Sequence, residues 1–142
     1  MNFESNLRSL HVTLDRGVAE VRLLGPSKGN AMGPDFWTEL PRVFAELDAD
    51  DDVRAVLLYG SGENFSYGLD LPGMGPVFRP LLQSRGTDAR LRSEFRLRIK
   101  ALQDAVSSVA RCSKPVVAAV QGWCIGGGVD VITAADVRIA AP

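Results

Sequence analysis

Strands and helices are expected to alternate along this chain, which predicts an α/β fold. Two apolar runs are typical of buried strands: residues 54–59, which are followed by a glycine, and the valine-rich residues 116–120, which follow a proline. Apolar residues three and four positions apart, at residues 36–47 and 91–109, are typical of amphipathic helices. The chain has 142 residues, of which 46% are hydrophobic and 23% charged, so it is typical of globular proteins.

The first half of the chain predicts a hairpin, a helix and a strand. Residues 10–14 and 18–23 alternate in polarity around a turn at residues 15–17, which is the pattern of a β-hairpin. Pro34 suits the first turn of a helix. The apolar positions of this helix recur at helical spacing: Phe36, Trp37, Leu40, Val43, Phe44 and Leu47. The buried strand at residues 54–59 ends at Gly60.

The second half predicts a loop, a long helix, a strand, a short helix and the start of another strand. Residues 72–86 contain three prolines and three glycines, so we expect a mobile loop there. Thr87 and Asp88 can cap a long helix. One apolar stripe follows this helix: Leu91, Phe95, Ile99, Leu102, Val106 and Val109. Its arginines predict a solvated face: Arg90, Arg92, Arg96 and Arg98.

Composition excludes several classes of function and suggests a compartment. A formal net charge of −1 gives no reason to expect binding to nucleic acid or to an anionic membrane. Two cysteines, Cys112 and Cys124, do not form a disulfide framework or a metal-ligand spacing, so we expect no metal. The N-terminal residues lack the apolar core of a secretory signal. We therefore expect a cytoplasmic protein.

Two glycine-containing loops have features of a functional site that packing alone does not require. The strand at residues 116–120 leads to Gly122, and the triple glycine at residues 126–128 then opens a helix. The first N–H groups of that helix have no intrahelical partner and lie at its positive end. Asp130 follows within the first turn. A second loop, residues 64–71, contains Gly68 and also follows a strand, so two N–H groups from separate loops can form an oxyanion hole.

Other motifs are weaker. Residues 60–65, GSGENF, imitate a dinucleotide fingerprint but lack its third glycine and the helix it opens. The only histidine, His11, falls in the first hairpin, which argues against a serine or cysteine triad. Cys124 is interpreted as a packing residue because no cationic neighbour is identifiable.

Three segments together resemble the crotonase superfamily, the enoyl-CoA hydratase/isomerase family. Residues 26–32, PSKGNAM, resemble its P-x-x-x-N-A-M loop, and residues 65–71, FSYGLDL, its F-S-x-G-x-D-L segment. Residues 114–122, KPVVAAVQG, with GGG at 126–128 and ADVR at 135–138, resemble its most specific block. The resemblance covers the N-terminal half of the family pattern. It implies a crotonase-type ββα spiral.

The resemblance assigns roles to two sets of residues. The backbone N–H groups of Leu69 and Gly127 would form the oxyanion hole for an acyl-CoA thioester, which is the substrate; no other cofactor is implied. A second set would bind the rest of the substrate, with the Lys28 loop and the backbone around Ser66 and Tyr67 facing the CoA nucleotide. The substrate-binding set is Lys28, Ser66, Tyr67, Gly68 and Gly126.

Asp130 stands where hydratases of the family carry a glutamate, and GGGVD at residues 126–130 is more similar to the dienoyl-CoA isomerase branch. The resemblance therefore implies proton transfer by Asp130, in hydration or in double-bond isomerisation, and leaves the two open. A catalytically silent acyl-CoA-binding or assembly subunit is the alternative, because Tyr67 and Leu69 are bulkier than the residues common in that loop.

The strand at residues 137–140 is followed by two residues only, so we expect the chain to be the N-terminal part of a crotonase-fold domain. The family's second carboxylate and its C-terminal helical trimerisation region would then lie beyond Pro142. The intact protein is expected to be a homo-oligomer, a trimer or hexamer. The chain alone is expected to self-associate and to show little activity.

Overall fold

The computed structural model describes residues 7–26, 28–84 and 88–142, whose five strands form one sheet in the order β1-β2-β3-β4-β5. The first two strands form an antiparallel hairpin, and every later neighbour pairs in parallel. The strands are β1 (Leu10–Asp15), β2 (Val18–Leu23), β3 (Ala55–Gly60), β4 (Val116–Val120) and β5 (Val137–Ala140). The predicted hairpin is confirmed, with Arg16 and Gly17 as its turn.

Four helices connect the parallel strands. Parallel neighbours need a crossover connection, and at least one helix lies between β2 and β3, between β3 and β4, and between β4 and β5. The helices are α1 (Pro34–Ala49), α2 (Leu71–Gln83), α3 (Ala89–Arg111) and α4 (Gly127–Ala134). Strands and helices therefore alternate from β2 onward, as the sequence predicts, except that α2 and α3 both lie between β3 and β4. None of the helices in the described part of the chain is long and apolar enough to cross a membrane.

The hydrophobic core lies between one face of the sheet and α1. Alternate residues of the central strands are buried, such as Val21 of β2 and Leu58 of β3, because successive side chains point to opposite faces. The predicted apolar stripe of α1 covers that face with five buried side chains: Phe36, Leu40, Val43, Phe44 and Leu47. Trp37, the sixth residue of the predicted stripe, is only half-buried. The core therefore fixes α1 and leaves Trp37 at its margin.

The mobile loop expected at residues 72–86 is wrong over residues 72–83, which belong to helix α2. Pro72 lies in the first turn, where a missing N–H removes no intrahelical bond. Pro76 and Pro80 follow at intervals of four, so the three prolines lie on one exposed side of the helix. There, water can hydrogen-bond to the carbonyl groups that lose their intrahelical donors. Met74, on another side of the helix, is buried. Gly86 lies outside the described residues.

Helix α3 begins at the predicted cap but buries less than predicted. The Asp88 carboxylate accepts hydrogen bonds from the N–H groups of Arg90 and Leu91, at 2.9 and 3.2 Å. Thr87 lies outside the described residues. Of the predicted apolar stripe only Val109 is fully buried, and the rest is half-buried. The four arginines are exposed, as predicted. The partly open stripe of α3 faces a cavity rather than a closed core.

Candidate active site

The two loops that the sequence singles out lie side by side at the carboxyl ends of β3 and β4. Parallel neighbours place their carboxyl ends at the same edge of the sheet, which is where α/β proteins build their sites. Ser66 and Cys124 pair as an isolated parallel bridge between the loops. The N–H of Ile125 donates to the Ser66 carbonyl oxygen at 3.0 Å. Backbone hydrogen bonds therefore hold the loops together.

Gly68 lets the two loops come into contact. A Cβ on Gly68 would lie 2.6 Å from the Ile125 carbonyl oxygen and 2.9 Å from the Gly127 nitrogen. Its φ of +81° is also a conformation that favours glycine. Any side chain at this position would push the loop of Leu69 away from the loop of Gly127. The predicted Gly68 thus contributes by allowing close approach of backbone.

The N–H of Leu69 is free of partners within the described chain. Met32 and Leu69 form an isolated parallel bridge, in which the Met32 N–H donates to Gly68 at 2.7 Å and the Met32 carbonyl accepts from Asp70 at 3.0 Å. In such a bridge the intervening residue directs its own N–H to the other side. No acceptor for the Leu69 N–H occurs among residues 7–26, 28–84 and 88–142.

The N–H of Gly127 is the second donor. Gly127 is the first residue of α4, so its N–H has no partner inside the helix. The next three N–H groups of the helix are occupied: Gly128 donates to Ile125, and Val129 and Asp130 donate to Gly126. A Cβ on Gly127 would lie 3.8 Å from the Leu69 nitrogen, which places the two donors next to each other. The pair is positioned to bind one oxygen at the positive end of α4.

Leu69, Gly127 and Asp130 line one cavity of about 560 Å³. Asp130 lies in the first turn of α4 and is exposed, and it is the only ionisable residue among the described lining residues. The structure therefore brings together the three residues that the resemblance marks as catalytic. The other lining residues are Trp37, Ile99, Leu102, Gln103, Val106, Ser107, Ala110, Thr133 and Ala134.

The cavity wall formed by Trp37 and α3 was not predicted, because the sequence pattern marked those side chains only as apolar positions of two amphipathic helices. Phe36 and Trp37 are adjacent in α1, so they point about 100° apart and cannot both face the sheet. That spacing was the available signal. The Trp37 indole N–H donates to the Met32 carbonyl oxygen at 3.2 Å, and its ring packs edge-on against Phe36. Met32 also borders the site, because its Sδ lies 3.0 Å from a Cβ placed on Gly127.

The predicted substrate-binding residues divide into three kinds. Ser66 is fully buried, and its hydroxyl donates to the Asn30 carbonyl and accepts from the Gly68 N–H, so it supports the loop. Tyr67 and Lys28 are exposed and belong to two loops that are joined where the Tyr67 N–H donates to the Gly29 carbonyl oxygen at 2.7 Å. Gly126 is exposed and precedes Gly127, which lines the cavity. Their contacts with a substrate stay a prediction.

The weaker motifs contribute nothing to this site. Burial raises the pKa of the Cys124 thiol, which is the opposite of activation. His11 lies in β1 and does not line the cavity. No helix follows the glycines at residues 60 and 62 before α2 begins at Leu71. In the described part of the chain, no three His, Cys, Asp or Glu side chains converge as metal ligands would.

A comparison with known families decides what this arrangement belongs to. Residues 13–142 match the enoyl-CoA hydratase/isomerase family. The chain belongs to this family. The predicted resemblance to the crotonase superfamily is therefore confirmed, and the enoyl-CoA hydratase/isomerase assignment covers both glycine loops and Asp130.

Relatives within the enoyl-CoA hydratase/isomerase family include dienoyl-CoA isomerases. A mitochondrial Delta(3,5)-Delta(2,4)-dienoyl-CoA isomerase from Homo sapiens is 41% identical over 140 residues, which are 97% of this chain and 42% of the relative. The peroxisomal protein of that name from Arabidopsis thaliana is 38% identical over 141 residues, 97% of this chain and 50% of its own length. The chain spans about half the length of the curated relatives it matches. These relatives are named as mitochondrial and peroxisomal proteins, so the expected cytoplasmic location of this chain stays a prediction.

Solved structures of the family share the fold. The crystal structure of an enoyl-CoA hydratase from Shewanella pealeana superposes with a TM-score of 0.80 at 27% identity, over 96% of this chain and 48% of that one. That of a putative enoyl-CoA hydratase from Streptomyces coelicolor gives 0.76 at 31% identity, over 96% and 46%. The expected crotonase-type α/β fold is confirmed.

Proposed function

We propose that this chain provides the oxyanion hole and one proton-transferring carboxylate of an acyl-CoA isomerase. The observation that carries the proposal is one cavity lined by Leu69, Gly127 and Asp130, in which the N–H groups of Leu69 and Gly127 have no acceptor among the described residues. Two backbone donors suit the oxygen of a thioester, whose charge grows when the neighbouring carbon loses a proton. The carboxylate suits the removal and delivery of that proton.

The mechanism follows from these three groups. The thioester oxygen accepts hydrogen bonds from Leu69 and Gly127, which lowers the cost of forming an enolate. Converting a 3,5-diene into a 2,4-diene removes a proton from C2, spreads the electron pair from the oxygen to C6, and adds a proton at C6. No atom is gained or lost. Asp130 takes or delivers one of these protons, and the apolar wall of α3 accommodates the acyl chain.

Isomerisation is favoured over hydration by the identity of residue 130 and by the relatives. Asp130 is an aspartate where the resemblance gives hydratases a glutamate. Two relatives that match over 97% of the chain are named dienoyl-CoA isomerases. Hydration would add water across C2 and C3, with the hydroxyl at C3 and a proton at C2, and would require the site to hold a water molecule as well.

A two-substrate assay tests the proposal. The intact protein is given a 3,5-dienoyl-CoA and, separately, a trans-2-enoyl-CoA, and the loss or gain of conjugation is followed by ultraviolet absorbance. We expect turnover of the dienoyl-CoA to exceed turnover of the enoyl-CoA. Faster hydration of the enoyl-CoA would reverse the assignment to isomerase. Binding of both thioesters without turnover of either would instead support the silent acyl-CoA-binding subunit.

The oligomeric state and the cellular location of the intact protein are also proposed. We infer from the family resemblance that the intact protein is a homo-oligomer, a trimer or hexamer, acting on an acyl-CoA and needing no other cofactor. Its two cysteines are free, which suits a reducing compartment, and we propose the cytoplasm as its location. Sedimentation equilibrium of the purified protein measures its oligomeric state, and cell fractionation measures its location. A stable monomer, or recovery in the organelle fraction, would contradict them.

A further inference from the structure

The sheet has a second face, which points away from the core. Side chains alternate between the two faces of a strand, so the neighbours of buried residues such as Val21 and Leu58 point outward. Buried side chains of α1, α3 and α4 belong to the core on the opposite face. We call the second face the outer face. It consists of two rows that cross the strands in register: Thr13, Glu20, Leu57, Val117 and Val137, and next to them His11, Arg22, Tyr59, Ala119 and Ile139.

The outer face has a polar half and an apolar half. Strands β1 and β2 contribute mainly polar side chains, among them Glu20 and Arg22. Strands β3, β4 and β5 contribute mainly apolar side chains, and none of these is fully buried. On β5, Val137 and Ile139 are 50% and 61% exposed. An exposed apolar patch beside charged residues is typical of a surface that binds another protein.

Glu20 and Arg22 lie next to each other on the outer face but do not pair. Residues two positions apart on a strand are separated by about 7 Å. The Glu20 carboxylate accepts a hydrogen bond from the Tyr59 hydroxyl at 3.2 Å. The Arg22 Nε is buried without an acceptor in the described part of the chain, and no carboxylate there forms an ion pair with Arg22. A buried donor without an acceptor is destabilising, so an acceptor from another molecule fits this position.

A two-fold axis makes the outer face complementary to itself. The axis runs across the strands, between the two rows, so each strand faces its own copy in antiparallel orientation and each row faces the other row. Glu20 of one copy then lies opposite Arg22 of the other. In the apolar half, the residues that face each other are Leu57 and Tyr59, Val117 and Ala119, and Val137 and Ile139. An axis parallel to the strands would instead place the polar half on the apolar half.

We propose that the outer face binds the outer face of a second copy of this chain, and that Glu20 and Arg22 pair reciprocally across the two-fold axis. Packed sheets lie about 10 Å apart, a distance that a glutamate and an arginine side chain can span together. The five strands make a face roughly 24 Å wide and roughly 15–20 Å long, or about 400 Å² for each copy. Specific interfaces of standard size bury about 800 Å² for each partner, so we expect a weak dimer whose population depends on concentration.

Sedimentation velocity of the chain at micromolar to submillimolar concentrations tests the proposal. We expect the wild type to shift from monomer to dimer as its concentration rises. Glu20→Arg and Arg22→Glu each place like charges opposite each other at both pairs, so each should weaken dimerisation by at least about tenfold. Arg96→Glu is the matched control for Arg22→Glu, because Arg96 is exposed on α3 and lies outside the outer face. It should dimerise as the wild type does.

A mixture of the two reversed-charge variants gives the sharpest measurement. Equimolar Glu20→Arg and Arg22→Glu have opposite charges at both pairs of a heterodimer, so together they should dimerise although neither does so alone. The mixture is also a control for folding, since misfolded variants would not recover the dimer.

Three results would overturn the proposal. The first is a wild-type chain that stays monomeric at every concentration, or a mixture that associates no more than its components. The second is equal weakening by Arg22→Glu and Arg96→Glu, which would be an effect of net charge. The third is a dimer that persists in both reversed-charge variants but is lost in Ile139→Lys, which would indicate pairing along the edge of β5.

Discussion

Met32 and Leu69 form a parallel bridge in which Met32 makes both hydrogen bonds, to Gly68 at 2.7 Å and from Asp70 at 3.0 Å. The same Met32 carbonyl oxygen accepts the indole N–H of Trp37 at 3.2 Å. Met32 therefore holds both the loop of Leu69, a proposed oxyanion donor, and the Trp37 side chain in the cavity wall. This arrangement explains why the Leu69 N–H has no acceptor in the described part of the chain, although the residues on both sides of Leu69 are hydrogen-bonded to Met32.

Replacement of Gly127 by proline removes one of the two proposed oxyanion donors. We expect Gly127→Pro to lower kcat of the intact protein by about 10²–10³-fold. Proline is acceptable at the first position of a helix, so α4 should still form. Gly127→Ala is the control, because it adds a Cβ near the flexible Met32 side chain and keeps the N–H. If both variants lose activity equally, the loss comes from crowding and not from the missing donor.

Asp130→Asn keeps the shape of the side chain but removes its ability to carry a proton. General acid–base catalysis is worth about 10²–10⁴-fold, so kcat should fall by that factor while calorimetric binding of the thioester persists. Asp130→Glu retains a carboxylate and should recover part of the activity. Normal turnover by Asp130→Asn would exclude Asp130 as the proton carrier.

Asn30 holds the segment that leads to the loop of Leu69, and its replacement should destabilise the fold. It is buried, and its side-chain amide donates to the carbonyl oxygens of Ser61, Asn64 and Phe65 at 2.8–3.1 Å. Asn30→Gly should cost about 1–3 kcal/mol, because buried carbonyl groups lose their donor. Asn30→Ala should cost about 1–2 kcal/mol more, since the backbone φ is +51°. Urea unfolding measures both, and equal losses would contradict the backbone contribution.

Asp48 should make stability sensitive to acid. The hydroxyl and then the N–H of Ser113 donate to its carboxylate, and these hydrogen bonds lower its pKa. A carboxyl with a lowered folded-state pKa stabilises the fold above the unfolded pKa, about 3.9, and this contribution is lost as pH falls through the folded value. Unfolding midpoints of Asp48→Asn should therefore fall less steeply between pH 5 and pH 3 than those of the wild type. Parallel curves would refute the linkage.

Strand β5 is expected to cause association of the chain. It lies at one edge of the described sheet, all four of its residues are exposed, and Ile139 is 61% exposed. An exposed apolar edge strand pairs readily with another chain. Ile139→Lys should shift sedimentation velocity toward the monomer. Leu97→Lys, at a similarly exposed position on α3, should not; if it does, added charge alone is responsible.

The elements of this protein that depend on local pattern were predictable. The hairpin follows from alternation around Arg16 and Gly17, α1 from its period of apolar residues, and the close loops from Gly68 and the triple glycine. These features need only short-range sterics and burial on one face. The same local pattern predicted a loop where α2 forms, because prolines at intervals of four were read without knowing that their side of the helix is exposed.

Tertiary packing alone decided which apolar residues line the cavities and which fill the core. Trp37, Leu102 and Val106 have the same periodicity and hydrophobicity as core residues such as Val109. Their exposure depends on the distance between α1 and α3, which is a property of the packed helices and not of either segment. The family resemblance therefore marked Leu69, Gly127 and Asp130 as candidate catalytic residues, and the packing of distant segments determined that they line one cavity.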